Sequence, residues 1–139
     1  MRYTIHSDGG ARGNPGPAGA GAVIRDDRGN IVSSVSDYLG HQTNNVAEYE
    51  AIIRALEKLK TLIPENDCAL TDVQVKMDSE LVVKQVKGEY KVKHPVLQEK
   101  RARLAQLESD FHSLSFEHVF RTENKDADAL ANQAMDRGV

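Results

Sequence analysis

Along this chain the polar and apolar positions first alternate and later switch to a helical period, and each switch marks an element. Tyr3-Thr4-Ile5-His6-Ser7-Asp8 alternates as a half-buried strand does, which predicts a strand from Arg2 to Asp8 followed by a turn-rich stretch from Gly9 to Pro17. Two β-compatible runs, Ala20 to Arg25 and Ile31 to Tyr38, flank the short loop Asp26-Asp27-Arg28-Gly29-Asn30 and predict a hairpin. From Asn45 onward Val46, Tyr49, Ile53, Leu56 and Leu59 recur at three- and four-residue steps, so a helix is expected that ends before Pro64.

The second half repeats this exchange of periods. Thr71 to Met77 alternates Val73, Val75 and Met77 against polar neighbours and reads as a strand, with a short helix from Ser79 to Val86 behind it. Pro95 suits a first helical position, and Leu97, Leu104, Leu107 and Phe111 supply an apolar face after it. Ser115 to Arg121 is a last predicted strand. Asn124 then reads as the cap of a final helix with a narrow stripe of Ala127, Leu130, Ala131 and Ala134. Three strands in a meander, followed by helices alternating with strands, predict an α/β fold. Its five-stranded mixed sheet would have three antiparallel strands first and the last two parallel to the first.

Composition narrows the class. A chain of 139 residues with 40% apolar content can build one core, so a single domain over residues 1–139 is expected. The lone Cys68 has no partner for an internal disulfide, and neither a leader-like segment nor an apolar run of spanning length is evident, so no membrane association and a reducing, cytoplasmic setting are expected. Nothing suggests a second subunit, which makes a monomer the expectation. A net charge of -3 argues against a surface that grips polyanions everywhere. The basic concentration runs from Lys84 through Lys87, Lys91, Lys93 and His94 to Lys100, Arg101 and Arg103; it reads equally as a local nucleic-acid contact and as a solvated face.

Four acids carry the candidate chemistry. Asp8, Glu48, Asp78 and Asp128 each fall at a predicted strand end or in the first turn of a predicted helix, where an α/β sheet can bring distant carboxylates together. A cluster of four repels itself unless divalent cations neutralise it, so a metal-dependent enzyme is expected. Each acid also has an ordinary reading. Glu48 follows Asn45 by three residues and could complete a capping pair, Asp78 could cap a helix, Asp128 could complement a helix dipole, and Asp8 could serve the turn beside Gly9-Gly10.

The stretch from Asp8 to Gly19 is more specific. Its glycines would let a nucleic-acid backbone approach the main chain, and it is not a P-loop because no Gly-Lys-Ser/Thr follows. Together with Thr43-Asn44-Asn45-Val46-Ala47-Glu48, Met77-Asp78-Ser79 and the run from Asn124 to Asn132, in this order from about residue 3 to 135, it resembles type 1 ribonuclease H. That resemblance implies the ribonuclease H-like fold, a five-stranded mixed sheet flanked by helices on both faces. It also implies hydrolysis of the RNA strand of an RNA/DNA hybrid, leaving 5′-phosphate and 3′-hydroxyl ends. The family's metal ligands fall on Asp8, Glu48, Asp78 and Asp128, holding two Mg²⁺ (or Mn²⁺) ions about 4 Å apart. Asp8 is the expected bridge between them, and Glu48 is expected near the RNA 2′-hydroxyl. Asn14, Asn44 and Asn45 match positions that face the hybrid, and Thr43 suits a phosphate of the DNA strand.

Two departures from well-known bacterial members stand out. Their loop histidine has no counterpart in the shorter loop Val119-Phe120-Arg121-Thr122-Glu123-Asn124; His118, in alternation with Phe116 and Phe120, reads as a strand residue packed between layers, which leaves Arg121 as the candidate substitute. Their basic, aromatic protrusion is missing as well. The chain has no tryptophan and passes through Lys87-Gly88-Glu89-Tyr90-Lys91-Val92-Lys93 to Pro95, so Lys91 and Lys93 are the expected grip. A hybrid-binding module without activity, or a DNA nuclease on the same fold, remain the alternatives; the first would be expected to have lost an acid, the second to lack the asparagines before Glu48.

Overall fold

The computed structural model describes residues 1–139. The alternating runs become β1 (Arg2–Ala11), β2 (Gly16–Arg25), β3 (Ile31–Gln42), β4 (Asp72–Met77) and β5 (Ser113–His118), hydrogen-bonded in the order β3-β2-β1-β4-β5. The first three are antiparallel neighbours, while β4 runs parallel to β1 and β5 parallel to β4, as the order of elements predicts. The helices are α1 (Asn44–Leu62), the single turn α2 (Glu65–Cys68), α3 (Glu80–Val86), α4 (Pro95–Glu108) and α5 (Lys125–Arg137).

The two faces of the sheet are built differently. On one, α1 lays Tyr49, Ile52, Leu56 and Leu59 fully buried against Ile5, Ile24, Val73 and Val75, and α4 adds Leu104 and Leu107. Each of these side chains contributes about 1.5–3 kcal/mol of apolar burial. On the other face α5 has only Ala127, Ala131 and Ala134 to bury, and the sheet meets it with glycines. A Cβ at Gly21 would overlap the Ala127 carbonyl oxygen, and one at Gly19 would lie 2.5 Å from that of Ala131. Small residues on both sides therefore set a close helix-to-sheet approach.

Several boundaries differ from the sequence reading. β1 continues three residues past Asp8, because Gly9, Gly10 and Ala11 pair with Ala20, Gly19 and Ala18 and leave only a short turn before Gly16. Asp8 is thus inside a strand, not at its end. β5 starts and stops earlier than Ser115 to Arg121, since its pairing with β4 runs from Asp72 opposite Ser113 to Met77 opposite His118. Beyond it Val119 donates to the Met77 carbonyl at 2.9 Å, and Arg121–Glu123 closes a 3₁₀ turn. That turn and α2 are too short to impress a period on the sequence.

Candidate active site

Packing brings the acids together. Gly9 lies directly beneath α1, where any Cβ would overlap the Ala47 carbonyl, so the next residue of the helix, Glu48, descends to the strand beside Asp8. The helix is capped by Thr43, whose Oγ1 accepts from the Val46 amide at 3.2 Å. Glu48 consequently stands in the second turn and is no partner in a capping pair with Asn45. Asp78 follows the last residue of β4, and the cap of α3 is Ser79, which accepts from the Val82 amide. Asp78 is thereby free of the capping duty open to it. Asp128 projects from the first turn of α5 towards Asp8.

One carboxylate oxygen from each of Asp8, Glu48 and Asp78 lies within 4.8 Å of the others. Asp8 and Glu48 are buried at 9% and 8% exposure, and Asp78 is half-buried. Burial, reinforced by Asp78 and by the adjoining Asp128 carboxyl, pushes Asp8 up to about 8; burial and the charges of Asp8 and Asp78 push Glu48 well above the ordinary carboxylate range. The Gly9 amide favours both ionised forms, and burial outweighs it. Glu48 Oε2 is buried without any hydrogen-bond partner. An orphaned carboxylate oxygen facing two more carboxylates fits a hard divalent cation, which takes oxygen ligands and removes the repulsion. The residues present therefore fit the metal that the acid pattern implies.

The cluster opens onto a cavity of about 480 Å³ that also reaches Arg12, Asn44, Asn45 and Arg121. Arg121, in the exposed 3₁₀ turn, reaches this cavity from the β5 side. His118 does not pack between layers: it ends β5 exposed, its ring edge-on to the exposed Phe120 at 6.1 Å. Asn124 precedes α5 as its cap residue but makes no side-chain capping bond; its amide instead donates to the Ser7 carbonyl at 2.8 Å, fully buried, and ties α5 to β1 next to Asp8.

The asparagines first serve the fold. Asn14 Oδ1 accepts from the Asn44 amide at 3.1 Å, and Asn44 Oδ1 accepts from the Ala11 amide at 2.8 Å, which pins the β1–β2 turn to the start of α1. Asn14, Thr43 and Asn45 also line an adjacent cleft of about 410 Å³ with His94 and Val96. The glycine stretch divides: Gly9 and Gly16 are filled from inside by the chain's own backbone, Gly10 and Gly13 stay open, and Gly9 and Gly10 line the cavity beside the acids. The basic run divides too. Lys84 pairs with Glu80, Lys100 with Glu50 and Arg103 with Glu57, whereas Lys87, Lys91 and Lys93 are exposed and unpaired. Arg12 carries no signal in the sequence until its hairpin is placed.

A family described as "Reverse transcriptase-like" matches residues 6–134. The ribonuclease HI of Halobacterium salinarum is 42% identical over 135 residues, covering 97% of this chain and 65% of that protein. The "Bifunctional protein Rv2228c" of Mycobacterium tuberculosis is 43% identical over 137 residues, 98% of this chain and 36% of that one. This chain thus spans about a third to two thirds of those relatives. Among solved structures, LC11-RNase H1, isolated from compost by a metagenomic approach, superposes with a TM-score of 0.91 at 50% identity, covering 98% of this chain and 96% of that one. The same protein in complex with an RNA/DNA hybrid superposes at 0.89 with 48% identity, each chain 97% covered. The carboxylate cluster, the mixed sheet and this near-complete correspondence together establish that the chain belongs to the type 1 ribonuclease H family.

Proposed function

We propose that residues 1–139 act as one catalytic domain that hydrolyses the RNA strand of RNA/DNA hybrids, leaving 5′-phosphate and 3′-hydroxyl ends. The observation that carries this reading is the convergence of Asp8, Glu48 and Asp78 within 4.8 Å at the wall of an open cavity. Asp8 and Asp78 would hold most of the metal, Glu48 would complete one position and Asp128 the other. Two Mg²⁺ or Mn²⁺ ions, when bound there, would supply an activated water and neutralise charge at the leaving oxygen. Arg121, already on the cavity wall, steadies a phosphate by charge and moves no proton. The cleft beside Asn14, Thr43 and Asn45, with Asn44 at its border, takes one strand of the duplex, and Lys91 and Lys93 grip its backbone. The chain works as a monomer in a reducing, cytoplasmic setting; no helix is long and apolar enough to cross a membrane.

The solved relative with a hybrid bound supports the choice of substrate. The test is cleavage of one end-labelled RNA presented as hybrid, single strand and RNA duplex, with Mg²⁺, Mn²⁺ or chelator. Cutting confined to the hybrid and abolished by chelator is expected. Cutting of single-stranded RNA at the same rate, or activity in chelator, would overturn the reading.

A further inference from the structure

Arg12 has no role in the chemistry above, yet it belongs to the cavity wall. It closes the β1–β2 turn, and its side chain lines the same cavity as the four acids. Its Nη2 lies 2.6 Å from Asp136 Oδ1 and donates to the Asn132 carbonyl at 3.4 Å, both on α5. The partners are 48% and 67% exposed, so this is a surface ion pair that water competes for and that adds little to stability. Arg121 lines the cavity from the turn after β5 and Arg12 from the β1–β2 turn, so the acidic centre shares its cavity with two arginines. A nucleic-acid backbone crossing that centre needs cations flanking it, because the centre itself repels phosphate.

We propose that Arg12 binds a backbone phosphate of the hybrid and that Asp136 holds the guanidinium only until the phosphate displaces it. The inference rests on the hybrid as substrate. A planar guanidinium meets a phosphate through two parallel N–H donors, and a phosphate in a strand that is already docked competes better than one exposed carboxylate. The exchange leaves Asp136 to water and costs the fold little.

The two partners then have opposite effects, which a merely structural tether does not allow. Binding of a fluorescent RNA/DNA hybrid is followed by anisotropy at several salt concentrations, in an Asp8→Asn background so that the RNA stays intact. Arg12→Ala should weaken binding about five- to tenfold at low salt and lower the slope of log K against log salt by about one. Asp136→Asn should tighten binding about two- to fivefold, and the gain should vanish when Arg12→Ala is added. Weaker binding by Asp136→Asn, or a gain that survives without Arg12, overturns the inference. Equal hybrid affinity with and without the Arg12→Ala substitution sinks it alone, whereas no hybrid binding by any chain sinks the substrate assignment with it. Melting temperatures within about 2 °C of one another tie the affinity changes to contacts and not to folding.

Discussion

The carboxylate centre and the rim around it follow opposite rules. At the centre, glycines and alanines draw α1 and α5 so close to β1 and β2 that Glu48 and Asp128 are forced towards Asp8, and the fold bears the cost of burying like charges. On the rim, Arg12 and Arg121 line the cavity from exposed turns, Arg12 with an exposed ion pair to Asp136, and Lys87, Lys91 and Lys93 are exposed and unpaired on the connection between α3 and α4. Geometry is enforced where chemistry needs fixed distances. It is left loose where, on the proposed reading, a polyanion would be held by charge, since screened attraction tolerates some displacement.

Breaking the centre should give the largest effect. Asp8→Asn is expected to lower hybrid cleavage by at least about a thousandfold while the chain stays folded, as measured by single-turnover kinetics and circular dichroism. Substantial turnover would remove Asp8 from the mechanism. Next comes the packing that positions the centre: Gly21→Val places a branched side chain against the Ala127 carbonyl and should destabilise the chain by about 3 kcal/mol or more in urea unfolding. A near-neutral result would mean that α5 can move away and that the close approach is not what sets Asp128.

The rim should yield in smaller steps. The double substitution Lys91→Ala, Lys93→Ala is expected to weaken hybrid binding several-fold at low salt and reduce the salt slope by about two, with the cleavage rate at saturation unchanged. A salt slope that does not move would take these lysines out of the interface. Smallest of all is His118→Ala. With its ring exposed at the end of β5 and edge-on to Phe120, its loss should change kcat by less than about twofold and leave the pH profile in place. A large loss would restore the histidine to the mechanism.

The same contrast explains what could be read without coordinates. The sheet was legible because alternation in β4 and the period of α1 report burial residue by residue, and the acids were legible because their neighbours form ordered motifs. The packing role of the glycines was not, because a residue without a side chain says nothing of what lies against it; Gly9 makes room for α1 and also lines the cavity beside the acids. The strand end is illegible for a related reason, since alternation continues to Phe120, past the last β4 partner, Met77 opposite His118. The division of the basic run into paired and unpaired cations depends on Glu50, Glu57 and Glu80, and sequence alone does not tell which acid faces which base.

That the centre is held together against its own repulsion until cations enter is the claim on which the rest depends. It is tested by thermal unfolding across pH, with chelator and with Mg²⁺, for the unsubstituted chain and Asp8→Asn. Folding raises Asp8 from about 3.8 to about 8, so the stability its protonated form contributes is complete below about pH 4 and is lost as pH climbs through 8, and Glu48, raised by burial and by the charges of Asp8 and Asp78, acts in the same direction. In chelator the unsubstituted chain should therefore melt lower at pH 8 than Asp8→Asn, by about 5 °C or more, and Mg²⁺ should close most of that gap. A lower melting temperature for Asp8→Asn in chelator, with no response of the unsubstituted chain to Mg²⁺, would contradict it.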